Sequence, residues 1–110
     1  MIRIGYNYNK YGRLTKASIE GHSENYNEGN EHLLVCNSVT IAATMIGLAF
    51  TELMGIDVLK KWGKGIVEID IENYLGKEVN ILMKTLEITI DKLEEKYPKH
   101  IKINKFKAIL

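Results

Sequence analysis

The sequence contains very little cysteine and proline, with one residue of each among 110. A single cysteine cannot form an internal disulfide, which excludes a disulfide-stabilised secreted scaffold and favours a reducing compartment. The sequence also lacks a proline- or glycine-rich linker, an internal repeat and a low-complexity tract. Because domains typically contain about 100–200 residues, we expect a single domain over residues 1–110.

Neither an excess of one charge nor a long hydrophobic run is present. The formal net charge is +1, so total charge does not favour a nucleic-acid or membrane partner. The N-terminal residues 1–8 lack the apolar run of a signal peptide. The longest apolar stretch, residues 41–53, is interrupted by Thr44, Gly47 and Glu52, and it is too short to span a bilayer. We therefore expect a cytoplasmic protein without a membrane partner.

Strands are predicted where apolar and polar residues alternate with a period of two. Residues 2–8 and 14–21 form a predicted antiparallel hairpin around the turn at 9–12. A third strand is expected to start near residues 56–59. Residues 67–71 predict a strand with one solvent-exposed face, and Ile101 with Ile103 suggests a short final strand.

Two helices are predicted between these strands. The first, residues 37–53, is apolar around most of its circumference, which is typical of a helix buried on more than one side and suggests a partner subunit. The second, residues 77–97, has an apolar stripe that suits packing on a sheet, and Pro98 ends it. The predicted fold class is α+β, with two layers: an antiparallel sheet, ββαββα plus a short final strand, with two helices packed on it.

The candidate catalytic pair is His22 and Cys36, which lie fourteen residues apart. A thiolate is the reactive form of cysteine, and a helix N-terminus or a neighbouring histidine favours it. We expect Cys36 to lie at the start of the first helix, near the strand end that carries His22. An imidazole there can take the proton of the thiol and return it to a leaving amine. The amides of Asn37 and Ser38 are the expected oxyanion donors.

The segment between these two residues is polar and shows no periodicity. An irregular loop over residues 23–35 would be long for a small domain, and such loops often cover binding sites. We expect it to act as a lid over an extended peptide, with Gly29 providing backbone freedom. Gly21, just before this loop, and Gly29, within it, are expected to contribute to substrate binding.

The motifs around this pair resemble those of the ribosomal-processing cysteine protease (Prp) family. They are Gly21-His22 at a strand end, Gly29, Leu34-Val35-Cys36 at a helix, and Thr40; residues 93–98 extend the likeness. The resemblance implies a homodimeric endopeptidase that removes the N-terminal extension of a large-subunit ribosomal protein, with relatives in phages. It implies that His22 is the catalytic histidine, that Cys36 is the nucleophile, and that no metal or organic cofactor is required.

The sequence departs from the family pattern close to the cysteine. Leu33 lies where the family usually has an aspartate, and Asn37 and Ser38 lie where it usually has two alanines. Glu31 could replace that aspartate if the loop places it suitably. Two alternatives stay open: a catalytically degenerate dimeric homologue that binds peptides or proteins, and a phage-type relative that processes a structural protein.

Two further candidate sites have weaker support in the sequence. His32 and Cys36 would share a helix face if helical and could ligate zinc with Glu28 or Glu31, although closed zinc sites usually contain more cysteines. Five lysines follow Glu95 and could contact RNA phosphates. Because lysines also protect an edge strand from pairing, a nucleic-acid partner is not expected.

Overall fold

The described part of the protein contains five strands and two helices. The structure, a computed structural model, describes residues 1–21 and 29–108, with Gly29 described by its backbone alone. In chain order the elements are β1 (Ile2–Tyr8), β2 (Leu14–Glu20), α1 (Gly29–Leu48), β3 (Leu59–Gly63), β4 (Ile66–Asp70), α2 (Lys77–Lys96) and β5 (Ile101–Lys107). A π-helical turn, Ala49–Leu53, continues α1.

The strands form one sheet in the order β3-β4-β2-β1-β5. The predicted α+β class is confirmed, and the hairpin pairs Ile4 with Ile19 and Tyr6 with Ala17. The sheet is mixed, however, because β5 runs parallel to β1, whereas the sequence predicted an antiparallel sheet. A parallel neighbour needs a long crossover, and α2 supplies it between β4 and β5. The final strand is also longer than expected, at seven residues.

The core lies between the sheet and the two helices. Alternate residues of β1 (Ile2, Ile4 and Tyr6) are at most 1% exposed, as expected for a strand with one covered face. The helices and the remaining strands contribute further buried apolar side chains: Ala17, Ile19, Val35, Val39, Ala43, Val67, Ile69, Val79, Met83, Leu86 and Ile90.

Helix α1 begins eight residues before the predicted start. Gly29 is its first residue, whereas the prediction began at Asn37. The buried face of the added turns contains His32 and Val35, while Leu33 and Leu34 are 46% and 59% exposed. A buried histidine beside exposed leucines hides the helical period of an amphipathic pattern. The predicted loop over residues 23–35 is therefore helical from residue 29 onward.

Helix α1 and its π-helical continuation are together longer than the apolar stretch predicted from the sequence, and this bears on whether the segment could span a membrane. By length and composition alone, Asn30–Leu53 could cross a membrane, with a mean hydropathy of 2.0. The sequence-based expectation considered only residues 41–53, which are too short to span a bilayer. Core helices of soluble proteins satisfy the same criterion, and Val35, Val39 and Ala43 are fully buried in the core that α1 shares with the sheet.

Candidate active site

Cys36 lies where α1 meets the end of β2. Its side chain is 5% exposed, and Sγ lies 3.5 Å from the carbonyl oxygen of Gly21. In this contact the thiol donates to the carbonyl oxygen. Gly21 directly precedes His22 in the sequence, and consecutive Cα atoms are about 3.8 Å apart. The fold therefore brings the cysteine to the strand end from which residue 22 follows.

The backbone of Gly21 is suited to this close approach. Its φ is +118°, a region that favours glycine. A Cβ atom at this position would lie 2.8 Å from the carbonyl oxygen of Met1. The amide of Gly21 donates to the carbonyl oxygen of Gly65 at 3.0 Å. The carbonyl that meets the thiol thus belongs to a residue fixed on several sides.

The sequence predicted Cys36 at a helix N-terminus, and this prediction is wrong. Cys36 is the eighth residue of α1, and the field of the helix dipole falls off within the first turn. The amides of Asn37 and Ser38 lie further inside the helix, where amides donate to carbonyl groups four residues earlier. The Ser38 hydroxyl also donates within the helix, to the carbonyl oxygen of Leu34 at 2.9 Å. In this conformation the two amides are engaged and do not offer an oxyanion hole.

Several predicted features lie outside the described residues. These are His22, its distance from Cys36, and the first part of the predicted lid, residues 23–28. Gly29 is the first residue of α1, rather than a point of freedom within a loop. Leu33, which lies where the family usually has an aspartate, is half-exposed on α1.

His32 has a different environment from the one a zinc site requires. It is 2% exposed, and its Nδ1 lies 3.0 Å from Nδ1 of His100 at the start of β5. Glu31 Oε2 lies 3.9 Å from Nε2 of the same His100. Within residues 1–21 and 29–108, no three metal-ligating side chains cluster. The sequence did not predict this histidine pair, because the two residues are 68 positions apart.

A second polar cluster, formed by Tyr8, Lys84 and Glu87, was also not predicted from the sequence. The hydroxyl of Tyr8 donates to the carboxylate of Glu87, which is 8% exposed and lies 3.7 Å from Lys84 Nζ. Burial, together with the Glu87 charge, raises the pKa of Tyr8. Burial likewise raises the pKa of Asp91 one turn along α2, while Lys105 opposes that shift. An open cavity of about 490 Å³ adjoins this cluster. No sequence motif links residues this far apart.

The family model described as Cysteine protease Prp matches residues 1–102. Among curated proteins, none matches the sequence.

Solved structures with the same fold include SMU.848 from Streptococcus mutans, with a TM-score of 0.81 and 19% identity over 98% of this chain and 96% of that one. The ribosomal processing protease Prp from S. aureus in complex with a substrate peptide has a TM-score of 0.81 and 18% identity, covering 96% and 99% of the two chains. The same S. aureus protease with a covalently linked product peptide has a TM-score of 0.72 and 19% identity, with the same coverage. At these identities the likeness shows the fold.

Proposed function

The chain belongs to the cysteine protease Prp family, and from this membership we propose that it is a cysteine endopeptidase that removes the N-terminal extension of a large-subunit ribosomal protein. One observation of the structure carries the proposal. Cys36, the only cysteine, has its sulfur 3.5 Å from the backbone of the residue that precedes His22. A neighbouring imidazole is what a buried thiol needs in order to lose its proton.

The proposed reaction uses these two side chains in sequence. His22 takes the proton of Cys36, and the sulfur attacks the scissile carbonyl carbon to give a tetrahedral oxyanion. The C–N bond then breaks as His22 returns the proton to the leaving amine, which leaves a thioester on Cys36. Water, deprotonated by the same imidazole, hydrolyses the thioester and restores the thiol. No metal or organic cofactor takes part in this scheme.

The proposal assigns substrate binding to the two ends of the segment that carries His22. Gly21 and Gly29 would contact an extended peptide through their backbone groups, because neither has a side chain to block it. The S. aureus protease with the same fold was solved in complex with a substrate peptide. Because this chain belongs to the Prp family, the substrate peptide bound to that protein supports a peptide substrate here.

The test is cleavage of a precursor ribosomal protein that carries an N-terminal extension. Wild-type protein is expected to shorten the precursor to one defined product, and mass spectrometry of both fragments gives the cleaved bond. Cys36→Ser is expected to lower the rate by at least about 1000-fold, since the triad of a related mechanism loses that much or more when its nucleophile is removed. Absence of cleavage by freshly reduced wild-type protein would contradict the proposal.

We further propose that the protein is a homodimer that associates through the exposed side of α1. Leu34, Ile41 and Met45 are 59%, 59% and 67% exposed, and their seven- and four-residue spacing places them on one side of the helix. Contiguous exposed apolar surface is typical of protein–protein contacts. A second copy of the chain is the proposed partner, because a twofold axis would place the apolar stripes of both copies against each other.

A second candidate function has one specific observation in its favour. Cys36 is almost fully buried and its thiol donates to a carbonyl group, which suits an unreactive structural cysteine. Together with Leu33 in place of the usual aspartate, this favours a homologue that binds peptides without cleaving them. Such a protein would bind the precursor with the same affinity before and after Cys36→Ser, and it would release no fragment.

A further inference from the structure

The two histidines of the His32–His100 pair connect the beginning of α1 to the sheet. Their Nδ1 atoms are 3.0 Å apart, with ring centroids 5.1 Å apart and an angle of 53° between the ring planes. His32 is almost fully buried, and the His100 side chain is 17% exposed. The contact is therefore a hydrogen bond between two rings in a largely dry environment, where such bonds are stronger than in water.

Backbone hydrogen bonds hold His100 in place, so its side chain can position α1. Its carbonyl oxygen accepts from the amide of Ile2 at 2.8 Å, and its own amide donates to the carbonyl oxygen of Tyr97 at 3.1 Å. Both contacts belong to the backbone, and they place His100 beside the start of β1. The end of β2 lies at the same edge, since Arg3 pairs with Glu20. The histidine pair and the Gly21–Cys36 contact are thus at one end of the sheet.

His32 lies one helical turn before Cys36. Residues four apart on a helix share a face, so the histidine bond and the thiol contact hold the same side of α1. The first two turns contain exposed Leu33 and Leu34 and begin directly after the undescribed segment. The His32–His100 bond and the buried side chains of Val35 and Cys36 hold these turns against the rest of the protein.

The geometry of the bond distinguishes its donor from its acceptor. With 3.0 Å between the Nδ1 atoms, one atom donates and the other accepts. The Glu31 carboxylate, 3.9 Å from His100 Nε2, favours the tautomer that carries the hydrogen on that nitrogen. His100 Nδ1 is then the acceptor and His32 Nδ1 the donor.

We propose that His32 is a positioning residue that acts through His100 to hold the first two turns of α1, and with them Cys36, against the end of β2. This inference rests on the proposed peptidase function.

Hydrogen exchange of backbone amides tests the anchor without a peptidase assay. Protection factors of the amides at residues 35–38 are compared at pH 8 in wild type and two variants. His32→Phe keeps a planar ring without the donor nitrogen, while His32→Asn keeps a donor near the Nδ1 position. Amides at residues 43–48, in the second half of α1, are the internal control.

In His32→Phe, protection at residues 35–38 is expected to be about fivefold to tenfold lower than in wild type, the effect of one lost hydrogen bond. In His32→Asn it is expected to stay near the wild-type value. Equal protection in wild type and His32→Phe, or protection lowered equally in His32→Asn and His32→Phe, would overturn the proposal.

Cleavage of the precursor by the same three proteins completes the test. A positioning role predicts a lower kcat with little change in KM for His32→Phe, and recovery in His32→Asn. Reduced protection with unchanged kcat would refute the positioning role while leaving the peptidase function intact. If wild type cleaves nothing but the exchange pattern holds, the proposed function fails and the anchor stands.

Discussion

Glu87 shows how the fold gives single residues environments that their sequence neighbours do not reveal. It lies on α2 among residues that alternate between exposed and buried, and it is nevertheless 8% exposed. Burying a carboxylate is costly unless it is hydrogen-bonded and paired with a charge. The Tyr8 hydroxyl, 79 residues away in sequence, and Lys84, three residues away, meet this requirement. Glu87 therefore depends on a contact that only the tertiary structure creates.

Removing the Tyr8 hydroxyl tests this dependence. Tyr8→Phe is expected to lower the free energy of unfolding by about 1–3 kcal/mol, because it removes a hydrogen bond to a buried charged group. Urea unfolding at pH 7 measures the change. Tyr11→Phe is the matched control, since Tyr11 is 82% exposed at the hairpin turn, and it should leave stability unchanged. Equal stability of the Tyr8 and Tyr11 variants would show that Glu87 does not need this donor.

Asp91 gives a pH dependence with a definite sign. Burial raises the pKa of Asp91 in the folded protein, so the folded state holds its proton more tightly than the unfolded state. Its contribution to stability is therefore lost as pH rises through the unfolded and then the folded pKa. Asp91→Asn is expected to stabilise the protein at pH 7 by about 0.5 kcal/mol, with no gain at about pH 3, below the ordinary aspartate pKa.

Thermal unfolding of the Asp91 variant at the two pH values measures this difference. Asp57→Asn is the control, because its side chain is 86% exposed, and it should show no comparable difference. A gain from Asp91→Asn that is larger at pH 3 than at pH 7 would contradict the assigned direction of the shift.

At the scale of elements, the strands and α2 could be predicted from the sequence and the start of α1 could not. The alternation in β4 and the stripe in α2, with Pro98 after it, are periodic patterns that local rules interpret correctly. The first turns of α1 bury a histidine and expose two leucines, which reverses the usual pattern. The histidine is buried where it meets His100, in the turn just before β5, and a local rule cannot include a partner 68 residues away.

The end of β2 can be tested through Gly21. Gly21→Ala is expected to destabilise the protein by more than about 2 kcal/mol, because φ is +118° and the new Cβ would lie 2.8 Å from a backbone oxygen. The same change should disturb the contact with Cys36, so alkylation of the thiol is expected to become faster. Thermal unfolding and the rate of reaction with iodoacetamide are the two measurements.

Gly12→Ala separates backbone strain from steric contact. Gly12 also has a positive φ, +79°, but no atom lies within 4 Å of its would-be Cβ. The free energy of unfolding of Gly12→Ala is expected to be lower by only about 1–2 kcal/mol. The alkylation rate of Cys36 should be unchanged in this variant. A Gly12 variant as destabilised and as reactive as the Gly21 variant would indicate that the contact at Met1 is unimportant.

At the scale of the whole molecule, the apolar surface of α1 makes association the main expectation. Ile41 lies in the middle of the Leu34, Ile41 and Met45 stripe and is 59% exposed. Ile41→Glu is expected to weaken the dimer by about 30-fold or more, the effect of losing about 2 kcal/mol at a central interface residue. Sedimentation equilibrium measures the dissociation constant. Tyr11→Glu, at the exposed hairpin turn, should leave it unchanged, and a monomeric wild type would refute the proposed interface.

Short motifs in the sequence are enough to identify the family of the chain. The proposed chemistry depends on the distance between the Cys36 sulfur and the His22 ring. The motifs around His22 and Cys36 and the order of elements were sufficient to identify the family from the sequence. The position of Cys36 inside α1, rather than at its start, was not predictable, because it depends on the histidine pair and on the end of β2. The described contact between Cys36 and Gly21 supports a nearby His22.

The most direct measurement is covalent labelling of Cys36 by a peptide that carries an alkylating group at the position of the scissile bond. The account predicts a single adduct on Cys36 in wild type, formed at least about 100-fold faster than in His22→Ala, since a positioned base contributes about that much or more. His32→Asn should label at the wild-type rate. Labelling of Cys36 at the same rate with and without His22 would contradict the claim that the two residues form a catalytic pair.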